Sequence, residues 1–262
     1  NLAQRFGEFI KLKIENMQEQ HNNIISEEAA PAKKEEVKRV HEHKDTAVIS
    51  VAAGDGVKDL FFELRCDEVV SGGQTMNPSA EDIVAAIREV NADNVIILPN
   101  NSNIVMTAQQ AAIILEDEIN VVVIPSKTIP QGLSACIMYN PEADIETNIE
   151  EMNEAIANVK TGQVTFAIKD TNIDGVDIKA NDYMALVEKK ITACIPDKVE
   201  ACKRALRELI TEDDEIVTLI AGEDVVQEEL DEIVSFLERE YDVEVEAHEG
   251  LQPVYSFIIG VE

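Results

Sequence analysis

Between residues 46 and 140 one pattern repeats, and it leaves the chain few ways to fold. A short β-branched run leads into a polar connection rich in Gly, Pro or Asn, and then into apolar residues at helical spacing. Ala47-Val-Ile-Ser-Val51 runs into Ala52-Ala-Gly-Asp-Gly56, with Leu60, Phe61 and Leu64 on the helix that follows. Val69-Val70 runs into Ser71-Gly-Gly-Gln-Thr-Met-Asn-Pro-Ser79, followed by Ile83, Val84, Ile87 and Val90. Val95-Ile-Ile-Leu98 runs into Pro99-Asn-Asn-Ser-Asn103, followed by Ile104, Ala108, Ala111, Ala112 and Leu115. Asn120-Val-Val-Val-Ile124 runs into Pro125-Ser-Lys-Thr-Ile-Pro-Gln-Gly132, with a short helix over 133–138. Repeated strand–loop–helix units predict a parallel α/β sheet. Crossovers between parallel strands are right-handed, so the connections at 52–56, 71–79, 99–103 and 125–132 are expected side by side on one edge. Open α/β folds hold ligands and partners at that carboxyl edge. The helix after the second connection has two possible starts: Asn77 capping with Pro78 in the first turn, or Ser79 capping with Asp82 three residues on.

From Pro141 the pattern changes. Ile145, Ile149, Met152, Ile156 and Val159 form one helical face. After Thr161-Gly162 the period becomes two, and Val164, Phe166 and Ile168 read as a half-exposed strand. Asp174-Gly175 signals a turn, and strands over 183–187 and 191–195 suggest an antiparallel arrangement. A helix over 197–210, a strand over 216–220 and a helix over 225–241 follow. Strands over 243–247 and 254–261 flank the turn Glu249-Gly-Leu-Gln-Pro253. The expected fold class is α/β: a parallel βα-repeat subdomain over 46–140, then a mixed α+β subdomain over 141–262. Whether these are separate domains is open from sequence. Val48-Ile-Ser-Val-Ala-Ala-Gly-Asp55 resembles Ile216-Val-Thr-Leu-Ile-Ala-Gly-Glu-Asp224, which duplication and convergence explain equally well. Asp55 and Asp224, each at such a turn, are expected to cap the next helix, with metal binding or acid chemistry as the alternative.

A net charge of −30 over 262 residues argues against nucleic acid and against an anionic membrane face, since both need cationic surface. It implies self-repulsion and solubility, or an acidic face for a basic partner. Glu212-Asp-Asp-Glu215 and Glu228-Glu-Leu-Asp-Glu232 read as solvated faces. Cys66, Cys136, Cys194 and Cys202 match no zinc spacing, so reduced thiols of a cytoplasmic protein are expected. His41-Glu-His43 lies in a charged stretch without a nearby cysteine, and no metal site is expected there. No apolar run is long enough to span a bilayer.

At the start of the chain, 1–9 read as helix, and Ile10-Lys-Leu-Lys-Ile14 alternates as a strand that cannot bury its apolar face alone. Residues 1–17 are therefore expected to be the tail of an upstream domain, and the polar stretch 18–45 a charged linker.

The four connections hold no standard catalytic signature: no Walker-type loop, no Gly-x-Ser-x-Gly and no His-Glu-x-x-His. They also lack histidine, the commonest general base. They carry neutral donors and acceptors instead. The second connection holds Gly72, Gly73, Gln74, Thr75 and Asn77. The third holds Asn100, Asn101 and Asn103; the fourth holds Ser126, Thr128 and Gln131, with Lys127 as the one cation. Groups that bond without titrating suit recognition better than proton transfer. Adjacent helix N-termini add partial positive charge, which suits a phosphate or carboxylate with Lys127 as counter-charge. Helix capping is the ordinary role of any one of these residues; their gathering on one edge marks the candidate surface. No catalytic residue and no metal site is assigned.

Gly72-Gly-Gln-Thr-Met-Asn-Pro-Ser79, Ile96-Ile-Leu-Pro-Asn-Asn101 and Ile124-Pro-Ser-Lys-Thr-Ile-Pro-Gln-Gly-Leu133 together resemble the carboxyl-terminal region of the catalytic component of bacterial fatty acid kinase, in the dihydroxyacetone kinase-like family. Ile14-Glu-Asn-Met17, Thr161-Gly-Gln-Val164, Asp174-Gly175 and Gly250-Leu-Gln-Pro-Val-Tyr255 add to the resemblance, which runs from about residue 8 to the end. It implies an amino-terminal domain binding ATP and magnesium, a middle domain, and a last domain that engages a separate DegV-type fatty-acid-binding protein. That protein's acyl carboxylate is then phosphorylated. The chain is similar to the tail of the middle domain plus the last domain, so the resemblance implies no cofactor and no kinase activity in this stretch alone.

Three readings follow. The first is a recognition domain whose edge loops dock the acyl-binding partner. The second is a small-molecule, dihydroxyacetone-like phosphotransferase or phosphatase using the same loops. The third is a structural module forming a homodimer through residues 10–14.

Overall fold

Strands β1 (Lys44–Ala52), β2 (Glu68–Ser71), β3 (Ala92–Leu98) and β4 (Asn120–Val123) form a parallel sheet in the order β2-β1-β3-β4. The computed structural model describes residues 43–173 and 175–262. The helix expected over 1–9, the strand over 10–14 and nearly all of the linker lie outside them. The registers Val51↔Val70, Ser50↔Leu98 and Ile97↔Val123 bring all four carboxyl ends to one edge. Between the strands run α1 (Asp55–Glu63), α2 (Ala80–Glu89) and α3 (Ser102–Ile114), and α4 (Ile129–Met138) follows β4. Helix α5 (Ile145–Asn158) leads to the second half.

That half is built on a mixed sheet. It comprises β5 (Lys160–Phe166), β8 (Tyr183–Val187), β9 (Lys190–Ile195), β10 (Ile216–Ala221), β11 (Glu244–Glu249) and β12 (Tyr255–Val261), in the order β11-β10-β12-β5-β8-β9. A small hairpin, β6 (Thr171–Ile173) and β7 (Val176–Ile178), turns at Gly175, whose φ of 86° favours glycine. Helices α6 (Lys198–Leu209) and α7 (Gln227–Glu240) complete the chain. The fold is α/β, with a parallel βα-repeat half and a mixed half.

Strand parity explains the layering, because successive side chains point to opposite faces. Ala47, Ile49 and Val51 face α2 and α3, packing with Ile83, Ile87, Ile104 and Ala108. Val48 and Ala52 face the other way, onto Phe61 of α1, Leu133 of α4 and Met152 of α5. Ile220 and Ile258 of the mixed sheet enter this same middle cluster. Their neighbours Leu219, Phe257 and Ile259 point outward onto α6 and α7. Helices thus cover both faces of the parallel sheet, which is why β1 and β3 read as continuous apolar runs. The described residues all fall in one compact unit.

Glycines set the closest approach of the two halves. A Cβ on Gly56 would lie 1.8 Å from the carbonyl oxygen of Glu249, and one on Gly54 would lie 2.5 Å from that of Gly250. The Val57 amide donates to the Gly250 carbonyl at 3.0 Å.

Several expectations are corrected. The start of the second helix is settled for Ser79: its Oγ accepts from the Asp82 amide at 3.2 Å, and the Asp82 carboxylate accepts from the Ser79 amide at 2.9 Å. Asp55 does not cap; it is the first residue of α1 behind Gly54, and there is no side-chain cap bond. Asp224 does not cap α7 either. It accepts from Ser256 Oγ at 2.8 Å, while Glu229 takes the Val226 amide at 3.1 Å. The strand holding Val164 ends at Phe166, leaving Ile168 84% exposed beyond it. Strand β1 begins at Lys44, inside the stretch read as linker, because Lys44 bonds the Asn91 carbonyl and pairs with Asp67. The two closing strands are not partners: β10 lies between them, parallel to β11 and antiparallel to β12.

Candidate binding site at the sheet edge

The four connections of the parallel sheet converge on a cavity of about 290 Å³. Ala53 and Gly54 line it from the first connection, Ser71 to Met76 from the second, Pro99 to Asn101 from the third, and Lys127 to Ile129 from the fourth. The far wall comes from the mixed sheet: Gln163 of β5, Gln252 to Val254 of the β11–β12 connection, and Tyr255 and Ile258 of β12.

Asn100 holds the third connection to its neighbours. It is buried, with φ 54°, a left-handed conformation that Asn tolerates better than most residues. Its Nδ2 donates to Ser50 Oγ at 2.7 Å and to the Val51 carbonyl at 3.0 Å. Its Oδ1 accepts from Ser126 Oγ at 2.8 Å, and its amide donates to the same hydroxyl at 3.1 Å. One side chain thus ties β1 to the third and fourth connections, and satisfies two hydroxyls that lie in the core. Buried polar groups need such partners, or they destabilise the fold by about 1–3 kcal/mol each.

Asn101 caps α3, its Oδ1 accepting from the Asn103 amide at 2.9 Å. Thr128 caps α4 by accepting from the Gln131 amide at 3.4 Å, and its hydroxyl meets Thr161 of β5 at 3.0 Å. Gln131 accepts from the Lys127 amide at 2.8 Å and donates to the Ile156 carbonyl at 3.0 Å. Gly72 lies against Pro78 and Val51, where a Cβ would be within 2.8 Å of both. The Gly73 amide closes a turn on the Met76 carbonyl at 2.9 Å.

Of the residues singled out from sequence, Gly72, Gly73, Gln74, Thr75, Asn100, Asn101, Lys127 and Thr128 line the cavity. Asn77, Asn103, Ser126 and Gln131 do not; the last two brace the loops from behind. Gln74 and Thr75 are exposed, as is Lys127, whose ammonium has no partner among the described residues. Lys58 reaches Ser71 Oγ at 2.8 Å beside it. Lys189, in the β8–β9 turn, reaches Ser102 at the start of α3.

Sequence reasoning missed the far wall. The signal was the shared Ala-Gly turn after β1 and β10: both Gly54 and Gly222 pack against the segment around Gln252. Gln252 is buried, with Nε2 donating to the Ile220 and Tyr255 carbonyls at 3.1 and 3.2 Å. Its Oε1 has no partner among the described residues. Burial pushes the Tyr255 hydroxyl above its usual range, with a hydrogen bond to Gln74 opposing. Val254 and Leu251 both take positive φ, 75° and 52°. For a β-branched residue such as Val254 this is a strained conformation, about 1–3 kcal/mol, of the kind that collects at ligand sites.

At the opposite edge, His43, Asp45 and Asp93 lie together, all exposed, with His43 Nε2 3.5 Å from Asp93. Among the described residues this is the one group that clusters metal-ligand atoms.

The cavity thus lies at the carboxyl edge of the sheet, where open α/β folds hold ligands. Residues 47–262 match the FakA-like C-terminal family, which takes its description from fatty acid kinase, and the chain belongs to that family. Protein YloV of Bacillus subtilis is 49% identical over 263 residues, covering all of this chain and 47% of that protein. The chain thus spans about half the length of the curated relatives it matches. In fold it is similar to a DegV lipid-binding protein from Thermotoga maritima, with TM-score 0.57 and 14% identity, over 83% of this chain and 98% of that one. It is also similar to the dihydroxyacetone kinase of C. freundii, with TM-score 0.57 and 13% identity, over 83% of this chain and 48% of that one.

Proposed function

We propose that this chain is the partner-docking portion of a two-component fatty acid kinase. Its sheet-edge loops engage a DegV-type fatty-acid-binding protein. The partner's acyl carboxylate is phosphorylated by an ATP- and magnesium-binding domain in the part of the relatives that this chain does not span. The observation carrying this reading is the rim itself: four loops of one sheet, exposing Gln74, Thr75 and Lys127 around one mouth. Such groups supply directed contacts and one cation, without a titrating base. Exposed Met76 and Leu251, at 66% and 49%, add apolar contact beside them. Among the described residues no Asp or Glu lines the cavity, so the lining offers no carboxylate ligand for magnesium. No helix of the described residues is long and apolar enough to cross a membrane, and the four cysteines are unpaired. The free cysteines suit a reducing, cytoplasmic setting.

Asn100 is a poor residue for testing docking, since its loss would open the core. The test is the triple variant Gln74→Ala, Thr75→Ala, Lys127→Ala, titrated calorimetrically against the acyl-loaded partner. Affinity should fall about tenfold or more with an unchanged melting temperature; unaltered affinity would refute the docking role.

The fold shared with a dihydroxyacetone kinase favours one second reading, a small-molecule phosphotransferase using the same loops. It requires a base and a metal site, and the cavity lining supplies neither among the described residues. Metal-dependent turnover of acyl phosphate or dihydroxyacetone by this chain would establish it.

A further inference from the structure

Acidic residues number 52 of 262 in this chain, yet among the described residues none of them lines the sheet-edge cavity. Its charged lining residues are Lys58 and Lys127. In a molecule of net charge −30, this is a locally cationic recess within a strongly anionic body. Low-dielectric walls focus the field of such charges. Val51, Ile104, Ile129, Val254 and Ile258 give the cavity an apolar part, beside polar lining such as Asn100, Gln163 and Gln252. An apolar lining combined with two cations and no acid is chemically matched to an amphiphilic anion.

We infer that this chain itself binds an amphiphilic anion in the sheet-edge cavity, with an alkyl tail among Ile104, Ile129 and Ile258 and a carboxylate or phosphate head held by Lys58 and Lys127. A cavity of about 290 Å³ has room for a short alkyl tail, so eight-carbon probes suit the test. Among the described residues Lys127 has no competing partner, and Lys58 bonds a neutral hydroxyl, Ser71 Oγ at 2.8 Å. Glu188, in an adjoining recess that Lys127 also lines, accepts from the Thr161 amide at 2.6 Å. The strained Val254 and the buried Gln252 line the far wall. This binding needs no partner protein, so it stands or falls separately from docking.

The test is calorimetry on the full chain with four eight-carbon probes: octanoate, octyl phosphate, octanol and octylammonium. Both anions should bind saturably, with Kd on the order of 0.1 mM from typical ligand efficiencies. Octanol should bind at least about tenfold more weakly, and octylammonium not measurably. Lys58→Gln with Lys127→Gln should weaken octanoate about tenfold and leave octanol unchanged. Ala53→Phe, which narrows the mouth, should remove binding of every probe. The ratio of octanoate to octyl phosphate tells a free carboxylate from a phosphate ester as the natural head. Equal affinity for octanol and octanoate, lack of effect of the double lysine substitution, or absence of saturable binding by either anion would overturn the inference. The lysine variants are surface changes and remain informative if Ala53→Phe does not fold.

Discussion

On the parallel sheet, α3 and α4 contain no charged residue, and Met106, Ile113 and Ile137 stand 62–70% exposed on them. On the mixed sheet, α7 carries Glu228, Glu229, Asp231, Glu232, Glu238 and Glu240. The first sheet is covered by helices on both faces and delivers four loops to one edge, with Asp55 and Lys127 as their charged residues. The second exposes strands such as β11, whose residues are all half-buried or exposed, and holds its surface together with ion pairs such as Lys203–Glu232 at 2.6 Å and Lys198–Glu229 at 2.8 Å. The net charge is thus not a uniform coat. Among the described residues no acid lines the cavity at the edge where binding is proposed, although exposed Asp55 sits in the first connection, while the acidic body keeps the molecule dispersed.

The sharpest way to break this pairing is at its seam. Gly56→Ala puts a Cβ 1.8 Å from the Glu249 carbonyl oxygen, and backbone on both sides must move. The variant should lose about 3 kcal/mol, the upper range for overpacking, read as a fall in the urea midpoint. Gly175→Ala is the control in the mixed half: nothing lies within 4 Å, so only its φ of 86° opposes the change, and about 1 kcal/mol is expected. If the two losses are equal, the halves are not held at the contact the structure shows.

Next comes Asn100. Asn100→Ala leaves Ser50 and Ser126 without their shared partner and forces alanine into φ 54°, so about 2–4 kcal/mol should be lost. Asn100→Gly keeps the backbone comfortable and removes only the bonds, so the difference between the two variants reports the strain. The comparison predicts that no single neutral side chain of the mixed sheet matches this effect, because ion pairs tie that half instead.

One such pair gives a pH signature. Burial alone would raise the Asp214 carboxyl, but hydrogen bonds from Lys160 and from the amide and hydroxyl of Thr211 outweigh it, and the group titrates below its ordinary 3.8. A depressed carboxylate stabilises the fold fully above the unfolded value and loses that contribution as pH falls through the folded one. Asp214→Asn should therefore cost about 1–2 kcal/mol near neutrality, and the difference from wild type should shrink below pH 3.8. Urea midpoints at several pH values measure it. A gap that persists in acid would mean the amide fails for reasons of packing.

The two halves were unequally legible in the sequence. Every strand of the parallel sheet announced itself, because burial on both faces turns a strand into an apolar run, as at Val95-Ile-Ile-Leu98. Boundaries slipped where the mixed sheet is half-exposed. Ile168 continued the alternation of Val164 and Phe166, although the chain had already left the sheet. The convergence of the four loops followed from topology alone, but the roles of single residues did not. Asn100, Ser126 and Gln131 look like rim residues by type; their bonds to Val51, Asn100 and Ile156 make them supports, which only tertiary contacts reveal. Gln252 and Tyr255 were hidden because the wall they form is brought in by a sheet order, β11-β10-β12, that no local pattern encodes.

The smallest stability effect, and the finest test of the contrast, compares two lysines. Lys160 of the mixed sheet bonds Asp214 at 2.6 Å and the Leu209 carbonyl at 3.0 Å, so Lys160→Ala should destabilise by about 1–2 kcal/mol. Lys127 on the parallel-sheet rim is exposed and has no partner among the described residues, so Lys127→Ala should change stability by no more than about 0.5 kcal/mol. A cation that contributes nothing to the fold, placed where acids are missing, is free to meet a ligand or partner. If Lys127→Ala proves as damaging as Lys160→Ala in thermal melts, Lys127 is a structural strut and Lys58 is left as the cation of the cavity lining.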